Sequence, residues 1–281
     1  MTFKSKKTPN YDGSQRLSTK DNGLGGRFYR RTYTAPFDPE SLGSLLVWLK
    51  AEDVVGLNDN DTITLWNDSS GNGYNIDSYY GTPKWKSSVA SLNGRPAVYL
   101  DGYSYMYRNA VTSLPNGSSP FTLYTVGTLD GASTPDYAFL FGFGDNYGPY
   151  RRAGFLRYPI YGSPSDFFAE FWGTPPTTVP DASFPKDTAF SAAYAYVAGS
   201  VPSTNPLYFN GVSQGPSAGG SVLNISSTCD LAVGVIPDSP YYIWKGNISE
   251  CMLYNATHTP TQRSEEHTSE LQSRFGISYA V

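Results

Sequence analysis

The chain has 281 residues, 15% of them aromatic, with 23 Tyr, 28 Gly and 21 Pro, and a net charge of −4. Gly and Pro together make about 17% of the residues against a usual ~12%, which excludes a helix bundle, and 39% hydrophobic content with so many rings excludes a disordered chain. The mild net charge gives no reason to expect nucleic-acid binding, no apolar run is long enough to span a bilayer, and two cysteines cannot build a disulfide framework.

The first 43 residues are polar, basic and Gly-rich, without a period of 2 or 3.6. Within 1–31, eight Lys/Arg stand against Asp12 and Asp21, so this stretch is +6 and the remainder −10. No hydrophobic stretch follows the basic residues, so a secretory signal is not expected. Rings and aliphatic residues interleave with the charges, which suits an extended arm that orders on docking against other proteins. Its expected anchoring residues are Arg16, Arg27, Phe28, Tyr29, Arg30 and Arg31.

From residue 44 the pattern becomes strand-like. Strands are expected at Leu45–Leu49, Thr62–Trp66, Ala97–Leu100, Phe121–Thr128, Tyr137–Phe143, Gly154–Tyr158 and Phe167–Trp172. Further ones are expected at Ala189–Val197, Leu207–Phe209, Leu231–Val235 and Ile248–Tyr254. Turn clusters such as Asp59-Asn60-Asp61 and Asn67–Gly73 separate them. The fold class this predicts is all-β, a two-sheet antiparallel jelly-roll sandwich over 44–281 with an N-terminal arm and one short C-terminal helix. Trp48 and Trp66 are expected in its core. Thr259 caps the helix before Pro260 and Gly276 ends it. Arg263–Ser273 has one apolar residue, Leu271, and reads like an in-frame translation of a sequencing-adapter oligonucleotide, so no function is placed on Glu265, Glu266, His267 or Glu270.

Several motifs in combination resemble concanavalin A-like, laminin-G-like domains. They are Leu46–Ala51 followed by Thr64–Gly73, Leu92–Val98 leading into Leu100-Asp101-Gly102, Phe121–Val126, Tyr208–Val212, and Gly246–Asn255. The resemblance covers roughly 44–278 and implies the jelly roll. Lectins, glycosidases, adhesion modules and tailed-phage virion proteins all share this fold, so it does not by itself assign a function.

The inventory for catalysis is thin. His258 and His267 are the only histidines, and Cys229 and Cys251 show no metal-ligand spacing; they either face each other on neighbouring strands or, as the absence of an export signal suggests, are buried free thiols. The acids Asp166 and Glu170 on one strand would stand ~13 Å apart, too wide for either glycosidase geometry. Glu250 is isolated. No enzyme activity is expected. Asn58–Asp61 and Asp145-Asn146 are oxygen-rich enough for calcium, though turn formation explains both; no cofactor or metal ligand is assigned. Tyr147, Tyr150, Tyr161 and Trp172, set among Gly, Pro, Asn and Asp, are the expected carbohydrate or partner contacts. A lectin-like domain without an export signal fits a virion protein of a tailed phage, a capsid decoration, head fibre or tail appendage assembled in host cytoplasm. The arm would hold it to other virion proteins, as a homo-oligomer where the resemblance carries over. The alternatives are an extracellular or cell-surface glycan-binding protein and a polysaccharide-degrading enzyme.

Overall fold

The computed structural model describes residues 38–131, 137–159, 165–171, 178–216 and 220–266. Its strands are β1 (Leu45–Lys50), β2 (Ser78–Tyr80), β3 (Lys84–Val89), β4 (Arg95–Asp101), β5 (Tyr105–Val111), β6 (Phe121–Gly127) and β7 (Ala138–Gly144). They continue with β8 (Arg152–Pro159), β9 (Ser165–Glu170), β10 (Phe190–Tyr196), β11 (Leu207–Phe209), β12 (Val212–Ser213), β13 (Cys229–Val233) and β14 (Lys245–Tyr254); one helix, α1 (Pro260–Glu266), follows. An eight-stranded sheet runs β12-β11-β10-β6-β14-β4-β3, with β1 also on β14, and a six-stranded sheet runs β2-β5-β13-β7-β8-β9. All pairings are antiparallel, as the sandwich reading requires.

Aromatic rings on the two inner faces fill the space between the sheets. Phe121 of β6 meets Phe143 of β7 edge-on at 5.2 Å, and Phe167 of β9 meets Phe190 of β10 at 5.6 Å. Trp66 and Trp244 are fully buried in the same core. Trp48 packs on the other face of the eight-stranded sheet with Tyr124, Met252 and Tyr254, and its indole N–H donates to Glu250 Oε1 at 2.5 Å. Rings of this size suit the pleated, half-buried surface that a Tyr/Phe-rich sequence favours.

The expected strand at Thr62–Trp66 is a loop with two isolated bridges, Thr62 to Lys84 and Trp66 to Ile76. Its buried residues, Ile63 and Trp66, are three apart rather than two, and Leu65 between them is 44% exposed. Side-chain hydrogen bonds bend the chain here: Asp61 Oδ2 accepts from Asn58 N at 2.7 Å, and Asp68 accepts from Trp48 N, Ser70 N and Tyr74 N at 2.8, 3.0 and 2.9 Å. The Asn67–Gly73 motif thereby closes the free edge of β1, with Ser70 Oγ donating to Leu46 O at 2.9 Å and Asn72 Nδ2 donating to Leu45 O at 3.0 Å. A covered edge cannot template pairing with another chain.

β2, β3, β5 and β12 are not among the expected strands. β3 carries Lys84, Lys86, Ser87 and Ser88 at the margin of its sheet, and β5 is interrupted by polar Arg108-Asn109, so neither shows an apolar alternation. The Asn210-Gly211 turn between β11 and β12 has both residues at positive φ, 48° and 76°, the two-residue turn that matches strand twist. At α1 the expected cap is present in reciprocal form: Gln262 N donates to Thr259 Oγ1 at 3.3 Å, and Thr259 N donates to Gln262 Oε1 at 2.9 Å. The expected helix end at Gly276 lies outside the described residues.

Candidate functional site

A cleft of about 330 Å³ opens on the outer face of the six-stranded sheet. Strand alternation builds one wall. Met106 of β5 points into the core, so Tyr105, Tyr107 and Asn109 point out; Tyr80 of the edge strand β2, opposite Tyr105, stacks on it at 5.3 Å and 18°. Tyr107 follows at 5.8 Å from Tyr105. On β13, Leu231 and Val233 are core residues, so Asp230 and Ala232 face the cleft, and Ala232 makes a low floor. The other wall is the segment from Val235 to Pro240 that follows β13.

Gly234 makes that turn off the sheet. Its φ is +79°, a backbone conformation that strains any L side chain, and a Cβ there would stand 2.1 Å from Leu100 Cδ1, which would have to shift. Beyond the wall the same outer face is filled by Phe139, Leu156, Phe168 and Ile236. Gly142 and Gly154, paired across β7 and β8, leave room for the Phe139 ring to lie on the sheet.

A bulge aims the principal carboxylate. Asn109 and Ala110 of β5 stand opposite the single residue Asp230, between the pairs Cys229–Val111 and Leu231–Arg108. Ala110 sits at φ +54°, and its backbone N–H donates to Asp230 Oδ1 at 3.0 Å. Burial pushes the Asp230 carboxyl above its ordinary value, against the Ala110 N–H; the carboxylates of Asp238 and Asp145 push it further up, and the Asp238 N–H pulls it down. Asp238 is exposed on the wall, and the Tyr147 hydroxyl bonds to it, which raises the Tyr147 pKa. Asp145 behind them is neutralised by Arg151, whose Nε and Nη2 donate at 2.8 and 2.6 Å.

Of the two expected contact residues that are described, Tyr147 and Tyr150, Tyr147 stands at the rim of this cleft and is 80% exposed. Tyr150 is half-buried against the core, its N–H bonded to Phe171 O at 2.8 Å, and it is not a cleft residue. Tyr161 and Trp172 lie outside the described residues, as do Arg16, Arg27, Phe28, Tyr29, Arg30 and Arg31. Glu250 is 2% exposed and bonded to Trp48, and Asp166 Oδ1 accepts Asp181 N at 3.2 Å. Cys229 and Cys251 are on different sheets, not neighbouring strands; both are buried and free, and burial pushes the Cys229 thiol up to about 12 and Cys251 up as well. The Asn58–Asp61 oxygens are bonded within their turn and to Ser87, and Asp145-Asn146 to Arg151 and Arg152. Among the described residues no group of three or more His, Cys, Asp or Glu is placed to hold a metal ion. Sequence reading missed Tyr80, Tyr105, Tyr107, Asp230 and Asp238, although Tyr103-x-Tyr105-x-Tyr107-x-Asn109 is a period-2 run that marks a polar, aromatic strand face.

No protein-family model and no curated protein matches the chain. Solved structures do match. Domain 4 of a GH43 extracellular arabinanase from Geobacillus stearothermophilus, in complex with arabinotriose, aligns with a TM-score of 0.50 and 16% identity over 80% of this chain and 98% of that one. An arabinofuranosidase complexed with arabinofuranosyl-α-1,2-xylobiose aligns at 0.58 and 13% identity, over 82% of this chain and 59% of that one. Trypanosoma rangeli sialidase in complex with sialic acid aligns at 0.50 and 14%, over 84% of this chain and 34% of that one. This chain therefore spans nearly all of the first neighbour but only part of the two others. What is shared is the fold.

The jelly-roll resemblance thus holds as a β-sandwich of the kind carbohydrate-active proteins carry, and these neighbours lend no support to a virion role. They also overturn the expectation that the chain is no enzyme: domains of this architecture stand within an arabinanase, an arabinofuranosidase and a sialidase. The expectation rests on two histidines, two cysteines without metal-ligand spacing and the wide Asp166–Glu170 pair on one strand, and it leaves open a pair of acids from different elements. Folding brings Asp230 of β13 and Asp238 of the following loop to one cleft.

Proposed function

We propose that this chain recognises a glycan in the cleft between the Tyr80–Tyr105–Tyr107 wall and the segment from Val235 to Pro240. The observation that carries this is the juxtaposition of the Tyr105 and Tyr107 rings, the first backed by the stacked Tyr80, with Asp230, Asp238, Asn109 and Ser239 in one 330 Å³ space. A sugar presents C–H faces that pack on rings and hydroxyls that need acceptors, and charged acceptors make the stronger bonds. The volume is within the ~300–1,000 Å³ of small-ligand sites. The arabinotriose held by one neighbour and the substituted xylobiose held by another support the reading. Calorimetric titration with arabino- and xylo-oligosaccharides and a glycan array test it. Tyr105→Ala, which removes the ring between Tyr80 and Tyr107, should weaken binding about tenfold or more. A wild-type protein that binds nothing on the array would refute the proposal.

A second reading, glycoside hydrolysis, is favoured by one observation: Asp230 holds its proton to higher pH than an ordinary carboxyl and stands in the cleft with Asp238, as an acid and its partner carboxylate do. It predicts release of reducing ends that Asp230→Asn abolishes while binding persists. Release undiminished in that variant would sink it.

A further inference from the structure

The cleft is one-sided in charge. Among the described residues its lining carries two carboxylates, Asp230 and Asp238, and no Lys, Arg or His. Arg108, between Tyr107 and Asn109 in sequence, does not line the cleft; it donates to Gly73 O and Asn75 O and lies over the Tyr74 ring, while Arg151 is committed to Asp145 through three hydrogen bonds of 2.6 to 3.1 Å and Arg152 bonds to Asn146. Asp230 is held in place by the Ala110 N–H donated from the bulge, and Asp238 lies close enough to Tyr147 to raise its pKa. The stacked ring Tyr105 closes the opposite side. An anion placed among these groups meets like charge on the β13 floor and on the loop, with no cation among the lining residues to offset it. A hydroxyl placed there meets acceptors.

We infer that the cleft selects glycans without acidic groups, and that Asp230 and Asp238 are the residues that set this selectivity. The inference rests on the glycan reading above and narrows it: uronic-acid-bearing, sialylated and sulfated glycans are excluded, and neutral ones are accepted. The selectivity is built from repulsion rather than from a better contact to the favoured ligand.

The test pairs ligands that differ only in the acid. Xylo-oligosaccharides and the same oligosaccharides carrying a glucuronic acid branch are titrated into the full chain at low salt and at about 0.5 M NaCl, where exposed charges are screened. The neutral member should bind about tenfold or more tighter at low salt, and the gap should narrow in high salt. Asp238→Asn, an exposed position whose change leaves the sheet untouched, should narrow the gap alone, and Asp230→Asn with Asp238→Asn should remove it; each change also weakens neutral binding by loss of a charged acceptor, so the readout is the ratio of the two affinities. Equal or tighter binding of the acidic member overturns the charge inference and leaves the glycan reading standing. Discrimination that survives in the double variant overturns the assignment to these two residues. If neither this pair nor any other glycan on an array binds, the glycan reading falls and the inference with it.

Discussion

Acidification should destabilise this fold through His258. The residue follows β14 and is 2% exposed, with its Nδ1 2.9 Å from the Tyr124 hydroxyl and its ring 4.2 Å from that of Tyr254; its Nε2 has no hydrogen-bond partner among the described residues. A proton on this imidazole would be a buried charge without a counter-ion. Burial, with the Arg263 charge second, takes its pKa from 6.5 down to about 4. The unfolded chain accepts the proton near pH 6.5 and the folded chain only near pH 4, so between the two the unfolded state binds more protons. The stability contributed by the neutral ring is complete above that window and is lost as the pH falls through it, up to about 3 kcal/mol in all. Urea unfolding of the wild type and of His258→Gln between pH 7 and pH 4 measures it. Gln can still bond to Tyr124 but cannot be charged, and carboxylate titration is common to both proteins. The wild type should lose up to about 3 kcal/mol more than the variant over this range. Parallel curves would refute the reasoning.

Gly154→Ala should destabilise by about 1–3 kcal/mol or more, because the added Cβ would stand 2.2 Å from Phe139 Cζ and 2.6 Å from Phe141 O; Phe139→Leu in the same chain should recover only the side-chain part in thermal unfolding. Asp230→Asn should raise the melting temperature at neutral pH, since the folded state disfavours the charged carboxyl while Asn still accepts the Ala110 N–H. That gain should shrink as the pH is lowered and the wild-type carboxyl takes up its proton, because between the unfolded and the raised folded pKa the native state binds more protons.

Strands with a clear apolar alternation or run, such as Phe121–Thr128 and Ile248–Tyr254, were legible because both sit mid-sheet and are buried along their length. The helix start was legible in the same way, since Thr259, Pro260 and Gln262 act on their own backbone. β3 and β5 were not: a margin strand and a bulged strand exchange apolar residues for polar ones on the faces that meet water or ligand. The candidate site was hidden for the same reason. Tyr147 stands out locally as a ring among Gly, Asp and Asn, whereas Tyr105 and Asp230 acquire meaning only when β5 and β13 pair.

Local chemistry, read along the chain, was enough for an all-β sandwich, its turns and its helix cap, because alternation, positive-φ residues and side-chain caps act over a few residues. The cleft depended on strands more than a hundred positions apart. A two-for-one bulge on β5 brings the Ala110 N–H onto the Asp230 carboxylate, and pairing of β2 with β5 lays Tyr80 on Tyr105. Register between distant strands is decided by the packing of both sheets at once, and no short stretch of residues encodes it.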